Sequence, residues 1–202
     1  VPTELITYLY NGAQSYQGDG TSGIYIYGAQ LEQNSFSTSY IPTSGATATR
    51  NQELCNNATP VINSEEGTLY FEASALVDEN DRRISLSDGS LNNYVSIGYS
   101  RFTGNIVGEI FSNGVSQNLN WGATGITQIN NNKFALSWGN GTMKFYVNGI
   151  QTLTTTITSP IGMNVLNFAA GNNALTMYAN TKDLKVYPKA LADVQLQDLT
   201  TI

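Results

Sequence analysis

Histidine is absent from this 202-residue chain, and cysteine occurs once, at Cys55. Without imidazole there is no ordinary general base, no Ser-His or Cys-His nucleophile pair and no histidine metal ligand. A single cysteine excludes an internal disulfide, so packing and hydrogen-bonded ladders must hold the fold. Charge is scarce as well: Asp, Glu, Lys and Arg supply 12% of the residues and leave a net charge of -6. A negative protein repels a phosphate backbone, so no nucleic-acid partner is expected. No run of about 18 apolar residues occurs, and no membrane insertion is expected either. The opening Val1-Pro2-Thr3 lacks the charged start and apolar core of a signal peptide, and reads as an internal cut in a longer polypeptide.

What the protein has in quantity is Asn, Gln, Ser, Thr and Gly. These neutral hydrogen-bonding groups suit a sugar-binding surface, and equally they keep a secreted or virion-surface protein soluble. Almost every periodic segment alternates apolar and polar residues with period two between Gly, Asn, Asp or Ser, which predicts strands joined by turns. The predicted strands are 68–75, 82–87, 93–100, 105–111, 133–138, 142–148, 166–170 and 181–187. Asp88-Gly89, Asn113-Gly114, Asn140-Gly141 and Asn148-Gly149 are the turn signals. Asn140-Gly141 predicts a tight type I′ hairpin whose second arm sends Met143, Phe145 and Val147 into the core. Trp138 alternates with Phe134 and Leu136 and is expected in the core.

One helix is expected after Pro188, where Ala190, Leu191, Val194, Leu196 and Leu199 recur at helical spacing, covering an end of the sandwich. Residues 1–50 read differently, as strands over 5–10 and 23–29, a turn at Gly18–Gly20 and an extended arm through Pro42. Residues 51–66 carry no periodicity and read as a linker. Two or three strands make no independent core, so this N-terminal β appendage either docks on the main body or completes a module whose first strands lie upstream.

Two stretches resemble known families. Gly23-Ile-Tyr-Ile-Tyr-Gly-Ala-Gln-Leu-Glu-Gln, through Thr38-Ser-Tyr-Ile-Pro-Thr43 to Arg50, resembles the closing strands and exit arm of a carbohydrate-binding-like jelly-roll module. Such modules occur in bacteriophage tail or appendage proteins and in bacterial surface proteins. Glu66-Gly-Thr-Leu-Tyr-Phe-Glu-Ala, Met143-Lys-Phe-Tyr-Val-Asn-Gly149 and the closing run from Lys182 to Thr200 are similar to concanavalin A-like and laminin-G-like domains. The resemblance implies an all-β, antiparallel jelly-roll β-sandwich over 67–202 with a short C-terminal helix, and glycan binding on the concave sheet or rim loops. It also implies a virion setting, in a tail or appendage, or otherwise an extracellular one.

Glycanases of this fold resemble one another in a Glu-x-Asp-x-(x)-Glu strand, because retaining hydrolysis needs two carboxyls about 5 Å apart. No such strand is present: Glu72 and Glu109 stand alone in theirs. Lyases of the same shape would pair an Arg-rich strand with His and Tyr, and histidine is missing. A non-catalytic module is expected. The acidic turn at Asp78-Glu79-Asn80-Asp81 offers oxygen ligands, and laminin-G-like domains often carry calcium near their rim. Asp78 and Asp81 are therefore candidate Ca2+ ligands, against which Arg82 and Arg83 follow directly and offset the charge. No other cofactor is expected.

Sugars are held by aromatic rings under their C–H faces and by planar polar groups on their hydroxyls. Along 93–100, Tyr94, Ser96, Gly98 and Ser100 share a face opposite Val95, Ile97 and Tyr99. Tyr94 is the expected platform, Arg101 and Glu109 its polar companions, with Asn113 and Trp121 completing the set. The expected partner is a cell-surface polysaccharide or glycan, bound by a homo-oligomer for which a trimer is plausible. The alternative is a structural virion or fibre module that assembles without binding glycan.

Overall fold

Period-two alternation becomes ten strands and one helix in the computed structural model, which describes residues 20–21, 25, 27–31, 39–49, 60–77, 81–102, 104–120 and 125–202. The protein divides into two compact units, Val1–Leu54 and Cys55–Ile202. In the second unit the strands are β1 (Gly67–Ala75), β2 (Arg82–Ser87), β3 (Tyr94–Tyr99), β4 (Ile106–Ser112), β5 (Val115–Asn120), β6 (Asn132–Gly139), β7 (Thr142–Val147), β8 (Ile150–Thr156), β9 (Val165–Asn167) and β10 (Ala179–Tyr187). They form two five-stranded sheets, β10-β1-β6-β7-β8 and β5-β4-β3-β2-β9, in which every named pair is antiparallel. The protein is an antiparallel jelly-roll β-sandwich with one short C-terminal helix.

Alternation sends one side chain in two between the sheets. Leu69 and Phe71 of β1, Phe134, Leu136 and Trp138 of β6, and Met143, Phe145 and Val147 of β7 meet Ile84, Leu86, Val95, Ile97, Ile106 and Ile110 of the opposing sheet. Space for this interdigitation is made at Gly108, where a Cβ would lie 2.7 Å from the Phe145 ring. Tyr99 crosses the gap: its ring meets Phe134 edge-on at 5.3 Å and its hydroxyl donates to the Ala73 carbonyl at 2.6 Å. A buried hydroxyl needs such a partner, and burial pushes the Tyr99 phenol up to about 12.

The three Asn-Gly turns in this unit all take positive φ at both positions: 51° and 76° at Asn113-Gly114, 51° and 72° at Asn140-Gly141, 49° and 81° at Asn148-Gly149. This is the type I′ geometry that matches the strand twist. Two of the turns lead into β5 and β8, strands absent from the sequence-based expectation. Both lie at sheet edges, and β8, Ile-Gln-Thr-Leu-Thr-Thr-Thr, is largely exposed, so burial imposes little apolar alternation on it.

The helix α1 (Asp193–Thr200) packs on the outer face of the β1-containing sheet rather than over an end of the sandwich, where its sequence position had suggested it would lie. Leu196, fully buried, sits among Tyr70, Ala135 and Tyr146, with Tyr187, Leu191 and Leu199 around them. Its first turn is fixed by Gln195 Oε1, which accepts the Ala192 N–H at 3.0 Å, and by the Lys144–Asp193 ion pair at 2.5 Å. Ile62 packs on the core, Ser64 Oγ accepts the Met163 N–H at 2.8 Å, and Trp138 Nε1–H donates to the Ser64 carbonyl at 3.1 Å.

In the first unit, residues 25 and 27–29 carry no strand, although the sequence predicts one over 23–29. The segments around Tyr27 and Tyr40 lie side by side: their rings are 5.5 Å apart, and Gln30 Oε1 accepts the Ile41 N–H at 2.8 Å. No helix among the described residues is long and apolar enough to cross a membrane.

Candidate functional site

The two outer faces of the sandwich differ in chemistry. Over the β1-containing sheet, α1 covers an apolar centre. The outer face of the other sheet is polar, and register sets its rows: Ser87, Tyr94 and Phe111 align across β2, β3 and β4; Asn167, Ser85, Ser96 and Glu109 form the next; Arg83, Gly98 and Val107 the third. Tyr94, Ser96, Glu109, Ser85 and Arg83 thus share one surface, with Tyr94 5% and Glu109 7% exposed.

Hydrogen bonds and charge organise this face. Ser96 Oγ–H donates to Glu109 Oε1 at 2.9 Å, and Ser85 Oγ–H to the Ala169 carbonyl at 2.7 Å. Arg83 Nη1–H donates to the Tyr99 carbonyl at 2.8 Å, and its Nε lies 3.8 Å from Glu109 Oε1. That diagonal approach crosses β3 at Gly98, the one position of the row without a side chain. A Cβ there would lie 1.9 Å from the Arg82 carbonyl oxygen. The Tyr94 ring stacks on Phe111 at 4.8 Å and 11°. Burial, with the Glu109 charge and hydrogen bond beside it, holds the Tyr94 phenol well above its usual range, so it stays a neutral donor.

Tyr94 marks the end of the strip that reaches a rim. Here Asn93, nearly buried, ties three loops together. Its Oδ1 accepts the N–H groups of Asn113 at 3.0 Å and Ile161 at 3.2 Å, and its Nδ2 donates to Asp88 Oδ2 at 3.0 Å. Asn92, Asn113, Leu91, Val115 and Ile161 are exposed around this knot.

The sequence-selected residues therefore separate. Tyr94 and Glu109 share the polar face, and Asn113 stands at the rim beside Tyr94. Arg101 lies beyond the opposite end of β3, exposed, with its guanidinium 5.1 Å over the Phe102 ring and its N–H donating to Asp81 Oδ1 at 3.1 Å. Trp121 and Asp78 lie outside the described residues. Asp81 is also 3.6 Å from Arg83 Nη2, and among the described residues no cluster of three Cys, Asp or Glu forms a cation site. Sequence reasoning missed Arg83 as a member of this face. The signal for Arg83 was its place on the same alternation as Ser85 and Ser87, legible only once β2 is paired with β3.

Glu72, alone in its strand by sequence, has neighbours of other kinds. It accepts from Tyr70 Oη at 3.0 Å and Asn131 Nδ2 at 2.6 Å, and Lys182 Nζ lies 2.8 Å away. Burial pushes its carboxyl up, but these partners outweigh it and bring the pKa down to about 2. A group so held is a poor proton donor near neutral pH.

No protein-family model and no curated protein matches the sequence. Solved structures do match in shape. The CBM40 domain of the Ruminococcus gnavus IT-sialidase superposes with a TM-score of 0.56 at 16% identity, covering 68% of this protein and 84% of that one. A second structure of that domain is bound to alpha2,3 sialyllactose. Domain 4 of AbnA, an extracellular GH43 arabinanase from Geobacillus stearothermophilus, in complex with arabinotriose, gives 0.51 at 18% identity, covering 70% and 69%. A heptameric SAP-like pentraxin from Limulus polyphemus gives 0.51 at 15% identity, covering 66% and 69%. At these identities the likeness establishes the fold alone, an antiparallel jelly-roll β-sandwich.

Proposed function

We propose that the sandwich is a non-catalytic glycan-binding module whose ligand sits at the Tyr94 end of the polar sheet face. The observation that carries this reading is the difference between the two outer faces: one has an apolar centre roofed by α1, and the other carries the buried polar set Arg83, Ser96, Glu109 and Tyr94, which reaches the rim at Tyr94. A glycan at the rim would meet the exposed amides of Asn92 and Asn113 and the apolar surfaces of Leu91, Val115 and Ile161. The Arg83–Glu109 pair and the Tyr94–Phe111 stack would form the floor. Trp121 is a further candidate platform. That domains of the same shape hold sialyllactose and arabinotriose supports the reading.

The setting we propose is a virion tail or appendage, where linked copies, as in a trimer, raise weak single-site affinity. Its support is the resemblance of residues 23–50 to such proteins. A glycan array probed with the recombinant protein tests the proposal. Binding is expected; Asn92→Ala, at an exposed rim amide, should weaken it without lowering the melting temperature, whereas Glu109→Gln should weaken it and also lower the melting temperature, because the carboxylate lies buried beside Arg83. Binding to no glycan sinks the proposal, and shortened glycans after incubation overturn the non-catalytic part. Light scattering then decides the oligomer: a protein that assembles and binds no sugar is the structural fibre module instead.

A further inference from the structure

The protein has four Asn-Gly steps, and three lie among the described residues, each as a type I′ turn. In such a step the backbone nitrogen of glycine can attack the Asn Cγ. The new C–N bond closes a five-membered succinimide, the original carboxamide C–N bond breaks, and ammonia leaves with the displaced proton. Water then opens the ring at either carbonyl, giving Asp or isoaspartate. The net change is one water consumed, one ammonia released and one negative charge gained.

The fold treats the three steps unequally. At Asn113-Gly114 the attacking group is engaged, since the Gly114 N–H donates to the Asn92 carbonyl at 2.8 Å. At Asn148-Gly149 both partners are held: the Gly149 N–H donates to Thr200 Oγ1 at 3.2 Å, Asn148 Nδ2 donates to Asn132 Oδ1 at 2.9 Å, and Asn148 Oδ1 accepts the Lys133 N–H at 2.9 Å. At the β6–β7 tip, Asn140 is exposed. Neither its carboxamide nor the Gly141 N–H makes a hydrogen bond among the described residues.

We propose that Asn140 is a modification site, the Asn-Gly step of the sandwich at which the folded protein deamidates. The isoaspartyl product adds a methylene to the turn backbone, which a two-residue I′ loop does not accommodate. It would loosen the adjoining bond from the Ile157 N–H to the Gly141 carbonyl, 2.9 Å long.

Incubation of the full-length protein at mildly alkaline pH, followed by digestion and peptide mass spectrometry with isoaspartyl methyltransferase labelling, reads each step separately. Asn140 should convert roughly tenfold faster than Asn113 or Asn148, the factor expected when one hydrogen bond must break first. In denaturant the three rates should converge. The proposal is overturned if Asn113 or Asn148 matches Asn140 in the folded protein, or if the ranking persists after unfolding, when the turns no longer exist.

Discussion

Glu72 couples proton binding to folding. Its carboxyl titrates at about 2 in the folded protein against an ordinary 4.5, so the unfolded state takes up the proton first as the pH falls. The stability it contributes is complete above about 4.5 and drains away as the pH drops towards 2. Glu72→Gln should be less stable than the parent at pH 7, and its unfolding free energy should fall less steeply across that window. Identical acid-unfolding slopes for the two proteins would refute this. Among the site residues, alternation put Tyr94 on the polar face of its strand and chemistry named Glu109 its companion, but only the pairing of β3 with β4 brings the two onto one surface. Their depth was not legible, since the Tyr94–Phe111 stack depends on the register of β3 with β4. Arg83 was hidden for a related reason: its reach to Glu109 needs Gly98 between them, and no local pattern reports a diagonal across three strands.

Elements whose burial imposes a pattern were readable; of the four edge strands, β9 and β10 were readable too, and β5 and β8 were not. β2 carries the residues expected of it, and the β6–β7 hairpin forms at Asn140-Gly141 because glycine and asparagine tolerate the positive φ the turn requires. β5 and β8 escaped because an edge strand open to solvent need not alternate. The helix was legible in extent, but its docking site was not: Tyr70, Ala135 and Tyr146 assemble into a seat for Leu196 only when β1, β6 and β7 lie adjacent. Removing the Leu196 side chain beyond Cβ should cost about 2–5 kcal/mol. The exposed Lys144–Asp193 pair, by contrast, should be worth under about 1 kcal/mol. Urea unfolding of Leu196→Ala and Lys144→Ala measures both, and equal effects would contradict this account of how α1 is held.

On the scale of the molecule, the core named above lies wholly within Cys55–Ile202. A protein spanning residues 55–202 should therefore unfold in one cooperative transition, with a melting temperature within a few degrees of the sandwich transition in the full-length protein. A broad, non-cooperative melt in calorimetry would contradict that. The topology also orders events in time. β1 lies between β6 and β10, so the first strand of the sandwich waits for the last, and the register from Thr68↔Tyr187 to Ala75↔Ala179 joins segments more than a hundred positions apart. On a translating ribosome the β1 edge stays unmatched until Tyr187 has left the exit tunnel. A stop codon anywhere before that point releases a polypeptide with an open sheet edge, fitted to stick to its siblings.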